Sequence, residues 1–389
     1  MKTKRSIYFY YPSKVLGGAE VLFATVAKAL TIRGFDVTIV DHTDGIYSLL
    51  TVDSDVKIIG VNEPIRRDAI IILPPVGLKK FSRLATVDKN AKVLFWFIHP
   101  YNGLKIIPRI PPDIQYSYPS LLRRINKYIF PRYYHAFREL MKMAMKNNGV
   151  TFMDEENYFI NREFFSLGNE QPTYTPIPVS RLLELDDKPG VVRTKITVAY
   201  IGRLSDFKIP ILKYIISELG LLEGGSQVRL EIIGDGKSKG DVASFAKRYV
   251  GLEVVFKGAI PHSELSGYIR KNVDLLFAMG TSALEGGAMM IPTCLLDASY
   301  SKVSNYKFRW LFQTTGYTLG RMMNYRRKRI INQYTIAEML DQVRVDKRRL
   351  GLECYRYVRA HHTLDVVVNK LELAITRGDF SFKVLKTII

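Results

Sequence analysis

The chain has 389 residues, of which 47% are hydrophobic and 24% charged. That is enough apolar material for two cores, and it excludes general disorder. Lys and Arg number 57 against 37 Asp and Glu, a formal charge of +20 that calls for an anionic partner: a nucleotide, a membrane surface or a nucleic acid. The two cysteines, Cys294 and Cys354, exclude a disulfide framework and fit a reducing compartment.

Basic residues open the chain, and the short Tyr-rich run Ser6 to Tyr10, stopped by Pro12, reads as a strand rather than a signal peptide. No run approaches the roughly 20 apolar residues of a spanning helix. The expectation is a cytoplasmic chain, soluble or peripheral to a membrane. Apolar residues from Ala19 to Leu30 recur at helical spacing, with Gly34 where a helix-ending glycine belongs. Strands are predicted at Asp36 to Val40, Val56 to Val61, Ala69 to Leu73 and Val93 to Ile98. Pro172, Pro176 and Pro178, followed by a turn-rich stretch from Asp186 to Gly190, mark a linker.

The second half repeats this grammar. Strands are predicted at Ile196 to Ile201, Val228 to Ile233, Leu252 to Phe256, Val273 to Ala278 and Thr293 to Leu296. Helices are predicted at Ile209 to Leu222, His262 to Lys271 and Ala283 to Met290, with an amphipathic helical stretch from about Thr335. The alternation gives the expected fold: α/β, two Rossmann-like doubly wound domains facing each other across a cleft. Their expected ranges are 1–180 and 181–350, with C-terminal helices at 351–389 packing back toward the first domain.

Ligands of such sheets bind at the carboxyl ends of strands, and four segments fall there. In Gly202-Arg203-Leu-Ser-Asp-Phe-Lys208 a guanidinium and an ammonium can converge on one diphosphate beside a helix start. In Met279-Gly280-Thr281-Ser282-Ala-Leu-Glu285, Thr281 or Ser282 is the expected N-cap of the next helix. Glu285 is expected in its first turn, either answering the helix dipole or accepting a ribose diol. Gly17 and Gly18, ahead of Glu20, permit close backbone approach at another helix start, yet form neither a dinucleotide fingerprint nor a Walker loop. His99 follows an apolar run at a strand end.

Together with Gly234-Asp235-Gly236 and the segment Leu284 to Thr293, these elements resemble the family-4 retaining glycosyltransferases of the GT-B fold, over residues 7–40 and 195–297. The resemblance implies a C-terminal domain that holds a nucleotide-sugar donor, UDP- or GDP-linked, and an N-terminal domain for the acceptor. It implies Arg203 and Lys208 on the diphosphate, Glu285 on the ribose and His99 near the transferred sugar. Gly17, Gly18, Gly202, Gly234, Asp235, Gly280, Thr281 and Ser282 complete the implied donor site. No metal and no separate cofactor are expected. The variant around Glu285 is similar to enzymes of O-antigen, capsule and lipopolysaccharide synthesis, which implies a lipid-linked glycan acceptor. One feature departs from the family. The usual acid upstream of Glu285 is missing: Phe277 and Ala278 occupy that region, and no acid lies between Asp274 and Glu285. Asp53-Ser-Asp55 mimics a metal-binding motif of another glycosyltransferase fold but precedes a strand instead of following one, so it is read as a decoy.

The positive charge is local. Residues 120–147 carry seven cations against Glu139, interleaved with aromatics, and suit a helix on an anionic membrane at the inner face of the cell. Residues 301–330 carry eight cations and no acid, around Phe308-Arg309-Trp310-Leu311-Phe312, and are expected to close over the donor or touch the membrane. Two rival readings are a nucleic-acid-binding protein, which explains the charge but not the strand-end motifs, and a nucleotide-sugar 2-epimerase of the same fold. The preferred reading has no nucleic-acid partner.

Overall fold

A computed structural model describes residues 6–81, 87–100, 119–168, 170–179, 181–184, 195–222, 227–323 and 332–388. The chain divides into two compact units, Val179–Thr363 on one side and Met1–Pro178 with Leu364–Ile389 on the other. The linker expected at Asp186 to Gly190 lies outside the described residues.

In the first unit, β1 (Ser6–Tyr10), β2 (Asp36–Asp41), β3 (Lys57–Gly60), β4 (Ile70–Leu73), β5 (Lys92–Phe97) and β6 (Val150–Phe152) form one parallel sheet in the order β3-β2-β1-β4-β5-β6. Helix α1 (Gly18–Ile32) presents Phe23, Val26, Ala27 and Leu30 to the sheet, all fully buried. Past its end, the Gly34 N–H bonds Thr31 O at 2.8 Å and the Phe35 N–H bonds Leu30 O at 3.1 Å, closing the last turn. Three helices flank β6: α2 (Pro119–Ile129), α3 (Pro131–Lys146) and α4 (Glu155–Phe165). Residues 120–147 therefore form two helices, not the single one expected. Pro131 has no N–H and takes the first position of α3, so the chain turns at Phe130.

In the second unit, β7 (Ile196–Ile201), β8 (Val228–Ile233), β9 (Glu253–Gly258), β10 (Leu275–Ala278), β11 (Thr293–Leu295) and β12 (Arg309–Trp310) are ordered β12-β11-β10-β7-β8-β9. All pairs are parallel except β11 with β12, the antiparallel edge. The helices are α5 (Ile209–Gly220), α6 (Lys239–Ala246), α7 (His262–Asn272), α8 (Thr281–Ala288) and α9 (Ile336–His361). After α9, α10 (Leu364–Arg377) and α11 (Phe382–Ile388) belong to the first unit, where Val368 and Leu371 are fully buried in its core.

Strand order reverses between β1 and β4 in one sheet and between β7 and β10 in the other. These switch points open a crevice at the carboxyl ends of the strands, because the loops on either side leave in opposite directions.

Candidate functional site

The segments after β7 and β10 flank the switch point of the second unit. Ile201 and Ala278, the last residues of those strands, are register partners. The loop after β7 is held by its neighbour from β8: the Gly202 N–H bonds Ile233 O at 3.1 Å and the Leu204 N–H bonds Asp235 O at 3.0 Å. Gly234 has φ +136°, and a Cβ there would lie 2.2 Å from Gly202 O. Only glycine combines that backbone with that approach. Asp235 is exposed; it accepts the Gly236 N–H at 2.8 Å and pairs with Lys239 at 3.3 Å, so it shapes the turn into α6.

Lys208 is half-buried and Arg203 exposed. The Lys208 ammonium lies over the Gly202 backbone, 3.4 Å from where a Gly202 Cβ would stand. Burial, and after it the nearby Arg203 charge, hold the Lys208 ammonium below the usual lysine range. Among the described residues neither cation has a carboxylate partner. Two cations that repel each other without a counter-charge form a receptor for an anion. The buried Tyr200 hydroxyl, beside them at 3.0 Å from the same notional Cβ, also has no hydrogen-bond partner there.

After β10 the chain turns at Gly280, φ +64°, which caps α8 without a side-chain bond. Thr281 and Ser282 are therefore the first two helical residues and not the expected N-cap. Ala283 and Leu284 donate back to Gly280 O at 3.1 and 3.4 Å, and Gly280 itself donates to Leu319 O at 2.7 Å. The N–H groups of Thr281 and Ser282 have no acceptor among the described residues, and Thr281 is exposed. Open donors at the positive end of a helix attract phosphate.

Glu285 is the fifth helical residue rather than part of the first turn, so the dipole does not explain it. Its side chain is 12% exposed, and Oε1 lies 3.1 Å from Nδ1 of His262 at the start of α7. Burial pushes its carboxyl above the usual range, partly offset by His262. Sequence spacing could not reveal this contact, since the two residues lie on different helices. Gly286 and Gly287 seat α8: a Cβ on either would strike Leu276 or Leu311 and Val358 at 2.3–2.7 Å. Phe277 and Ala278, at the position where the resemblance leads to the expectation of an acid, are fully buried apolar residues.

The other predicted residues lie in the first unit. Gly17 is the extended N-cap of α1, with its C=O accepting from Val21, and Gly18 has open space where a Cβ would be. Both flank the β1/β4 switch point, at the end of loop 11–17 rather than in a tight turn. His99 is exposed, two residues beyond β5. Asp53 pairs with Lys28. A cavity of about 630 Å³ opens between α5 and α6, lined by Lys213, Tyr214, Asp241 and Phe245, and contains neither Arg203 nor Glu285. Among the described residues no cluster of three His, Cys, Asp or Glu is placed to hold a metal, and no helix is long and apolar enough to cross a membrane.

The stretch 301–330 differs from its expectation. Arg309 is buried and paired bidentately with Asp297 at 2.8 Å. Asp297 also accepts from the Tyr306 hydroxyl at 2.8 Å and the Arg321 N–H at 2.9 Å. Phe308, Trp310 and Leu311 are core residues, not a surface for donor or membrane. A strand as short as β12 shows no periodicity in the sequence that would mark these residues as core. The cluster Arg326 to Arg329 lies outside the described residues.

Comparison with solved structures bears on the fold. The chain aligns with a glycosyltransferase from Rickettsia africae at 13% identity and TM-score 0.57, covering 96% of this chain and 99% of that one. HepE of Anabaena, crystallised with UDP and glucose, aligns at 11% identity and TM-score 0.54, covering 95% and 99%. WaaB, a lipopolysaccharide outer core galactosyltransferase, aligns at 12% identity and TM-score 0.53, covering 96% and 99%. The chain has the GT-B fold. No protein-family model and no curated protein matches it.

Proposed function

We propose that the protein is a retaining glycosyltransferase that moves a sugar from a UDP- or GDP-linked donor to a lipid-linked cell-surface glycan. The observation that carries this reading is the unpaired Arg203–Lys208 couple beside the open N–H groups of Thr281 and Ser282, at one switch point. HepE, a structural neighbour, was crystallised with UDP and glucose. Glu285 supplies a partly desolvated acceptor, displaced from His262 by the two hydroxyls of a ribose.

In this mechanism Arg203 and Lys208 hold the diphosphate and take up the charge that develops as the sugar–phosphate bond breaks. The α8 N–H groups add fixed positive dipole at the same oxygens. No metal is required for that task. The acceptor hydroxyl attacks the anomeric carbon on the face the diphosphate leaves, and the departing phosphate oxygen takes its proton. His99 contacts the transferred sugar. The exposed apolar and basic residues of α2 and α3 bring the protein to the anionic inner face of a membrane.

The test is a thermal-unfolding panel of nucleotide diphosphates and nucleotide sugars. A ligand at 100 times its dissociation constant adds about 2.7 kcal/mol. The stabilising donor is then incubated with membrane extract, and the anomeric configuration of the product is read by NMR. Transfer with retention supports the proposal; an isomerised donor without transfer identifies an epimerase. Salt-dependent retention on DNA with no nucleotide stabilisation overturns both.

A further inference from the structure

We infer that the corner between α2 and α3 is a receptor for the phosphate of a membrane lipid headgroup, engaged while the apolar tip of the corner enters the leaflet. The inference draws on the proposed function only for its membrane, and is independent of sugar transfer. A cavity of about 360 Å³ at this corner is lined by Arg123, Arg124, Lys127, His135 and Arg138, and among the described residues no carboxylate lines it. Glu139, the only acid between 119 and 147, faces Lys142 at 3.2 Å and Arg138 at 3.6 Å without entering the cavity.

Two of the cations, Arg123 and Arg138, are held in place. Arg123 Nη1 donates to Ser166 Oγ and Arg138 Nε to Phe165 O, both at 3.0 Å, at the end of α4. The Tyr134 hydroxyl donates to Phe164 O at 3.0 Å, and the Phe137 and Phe165 rings pack 4.8 Å apart. Four cations around a small volume, two of them fixed, repel one another. An anion of more than one charge with several acceptor oxygens relieves that repulsion and matches the guanidinium forks. This describes a phosphomonoester or diphosphate better than a singly charged diester.

The tip decides the source. Tyr128, Ile129, Phe130 and Tyr133 are 39–78% exposed where α2 passes into α3, and Tyr128 also lines the cavity. A phosphate free in solution gains nothing from this apolar tip. A leaflet buries it, and the phosphate of a lipid lies at the depth the cavity then reaches.

Vesicle co-sedimentation at near-physiological salt tests the inference, with phosphatidylcholine alone, with phosphatidylglycerol, and with phosphatidic acid at equal surface charge. The expected result is tightest binding to phosphatidic acid. The exposed-residue variant Arg124→Ala/Lys127→Ala loses that preference and binds about 25-fold more weakly, near fivefold per cation. Tyr128→Ser/Ile129→Ser weakens binding to every vesicle, and inorganic pyrophosphate competes against the wild type on phosphatidic acid. Equal binding to both anionic vesicles reduces the corner to a diffuse charged surface and overturns the receptor. Pyrophosphate binding without vesicle partition overturns the lipid source. No partition to any vesicle overturns both. Nucleotide stabilisation, measured on the same preparations, reports separately on sugar transfer.

Discussion

Replacing Lys208 by Met separates a ligand clamp from a structural cation, because the two predict opposite signs. The free protein holds the ammonium half-buried, over Gly202, with Arg203 as its only charged neighbour of consequence among the described residues. A lysine whose folded pKa lies below its unfolded value opposes folding while it is charged. At neutral pH the Met variant, which keeps the apolar stem, is therefore expected to be as stable as the wild type or more stable, with a melting temperature unchanged or raised. The gain should fade as pH rises through the depressed folded range toward about 10.4, where wild-type Lys208 has also lost its proton. Nucleotide binding moves the other way. Hydrogen bonds to charged groups contribute about 1.5–3 kcal/mol, so UDP or GDP should bind about 10- to 150-fold more weakly. The parent nucleoside, lacking phosphate, should bind the variant and wild type alike. Calorimetric titration of diphosphate and nucleoside, with a melting curve of each free protein, measures all of this. A variant that melts several degrees lower, or that loses nucleoside and diphosphate equally, would refute the clamp.

Glu285→Ala should leave the free fold intact or slightly firmer, since a carboxyl raised by burial costs stability when ionised; titration with the ribose and 2′,3′-dideoxyribose nucleotides should show the dideoxy penalty vanish in the variant. Asp297→Asn should cost about 3–5 kcal/mol by leaving Arg309 buried without its counter-charge, measured by urea unfolding. Although burial opposes ionisation of Asp297, Arg309 and the hydrogen bonds outweigh it and hold the carboxyl below its ordinary range. Its contribution is thus present above about pH 4 and lost as pH falls further, a dependence the Asn variant should lack. Gly18→Ala meets nothing within 4 Å and should fold normally, with stability within about 1 kcal/mol; a transfer rate equal to wild type would remove the first glycine pair from the site.

Strands β7, β8 and β10 were readable because each is a largely buried, mainly apolar run with a glycine one or two residues past its end, and β7 to β11 follow the expected runs closely. The loops after β7, β8 and β10 were readable for the same reason, since Gly202, Gly234 and Gly280 stop those runs. Three things were not. The strand β6 has three residues, too few for a period to show. The α2–α3 break was signalled by Pro131, yet the apolar spacing continues across it. The caps and contacts of α8 depend on tertiary partners: Leu319 occupies the Gly280 N–H, and His262 meets Glu285. Likewise the charge of Arg309 looked like surface charge until Asp297, twelve residues away and in no shared motif, was placed against it.

The first unit is built from two separated stretches of one chain. Its sheet packs against α10, and Phe380 O closes on the Val93 N–H at 2.7 Å, while Arg33 grips Asp365 and Glu372 at 2.9 and 2.8 Å. On the ribosome the earlier strands must wait for the whole of Val179–Thr363, roughly 10–40 s at ordinary elongation rates, before that closing piece exists. The later-made half can complete itself first, reversing the usual order of maturation, and the waiting strands form the stretch most in need of a chaperone.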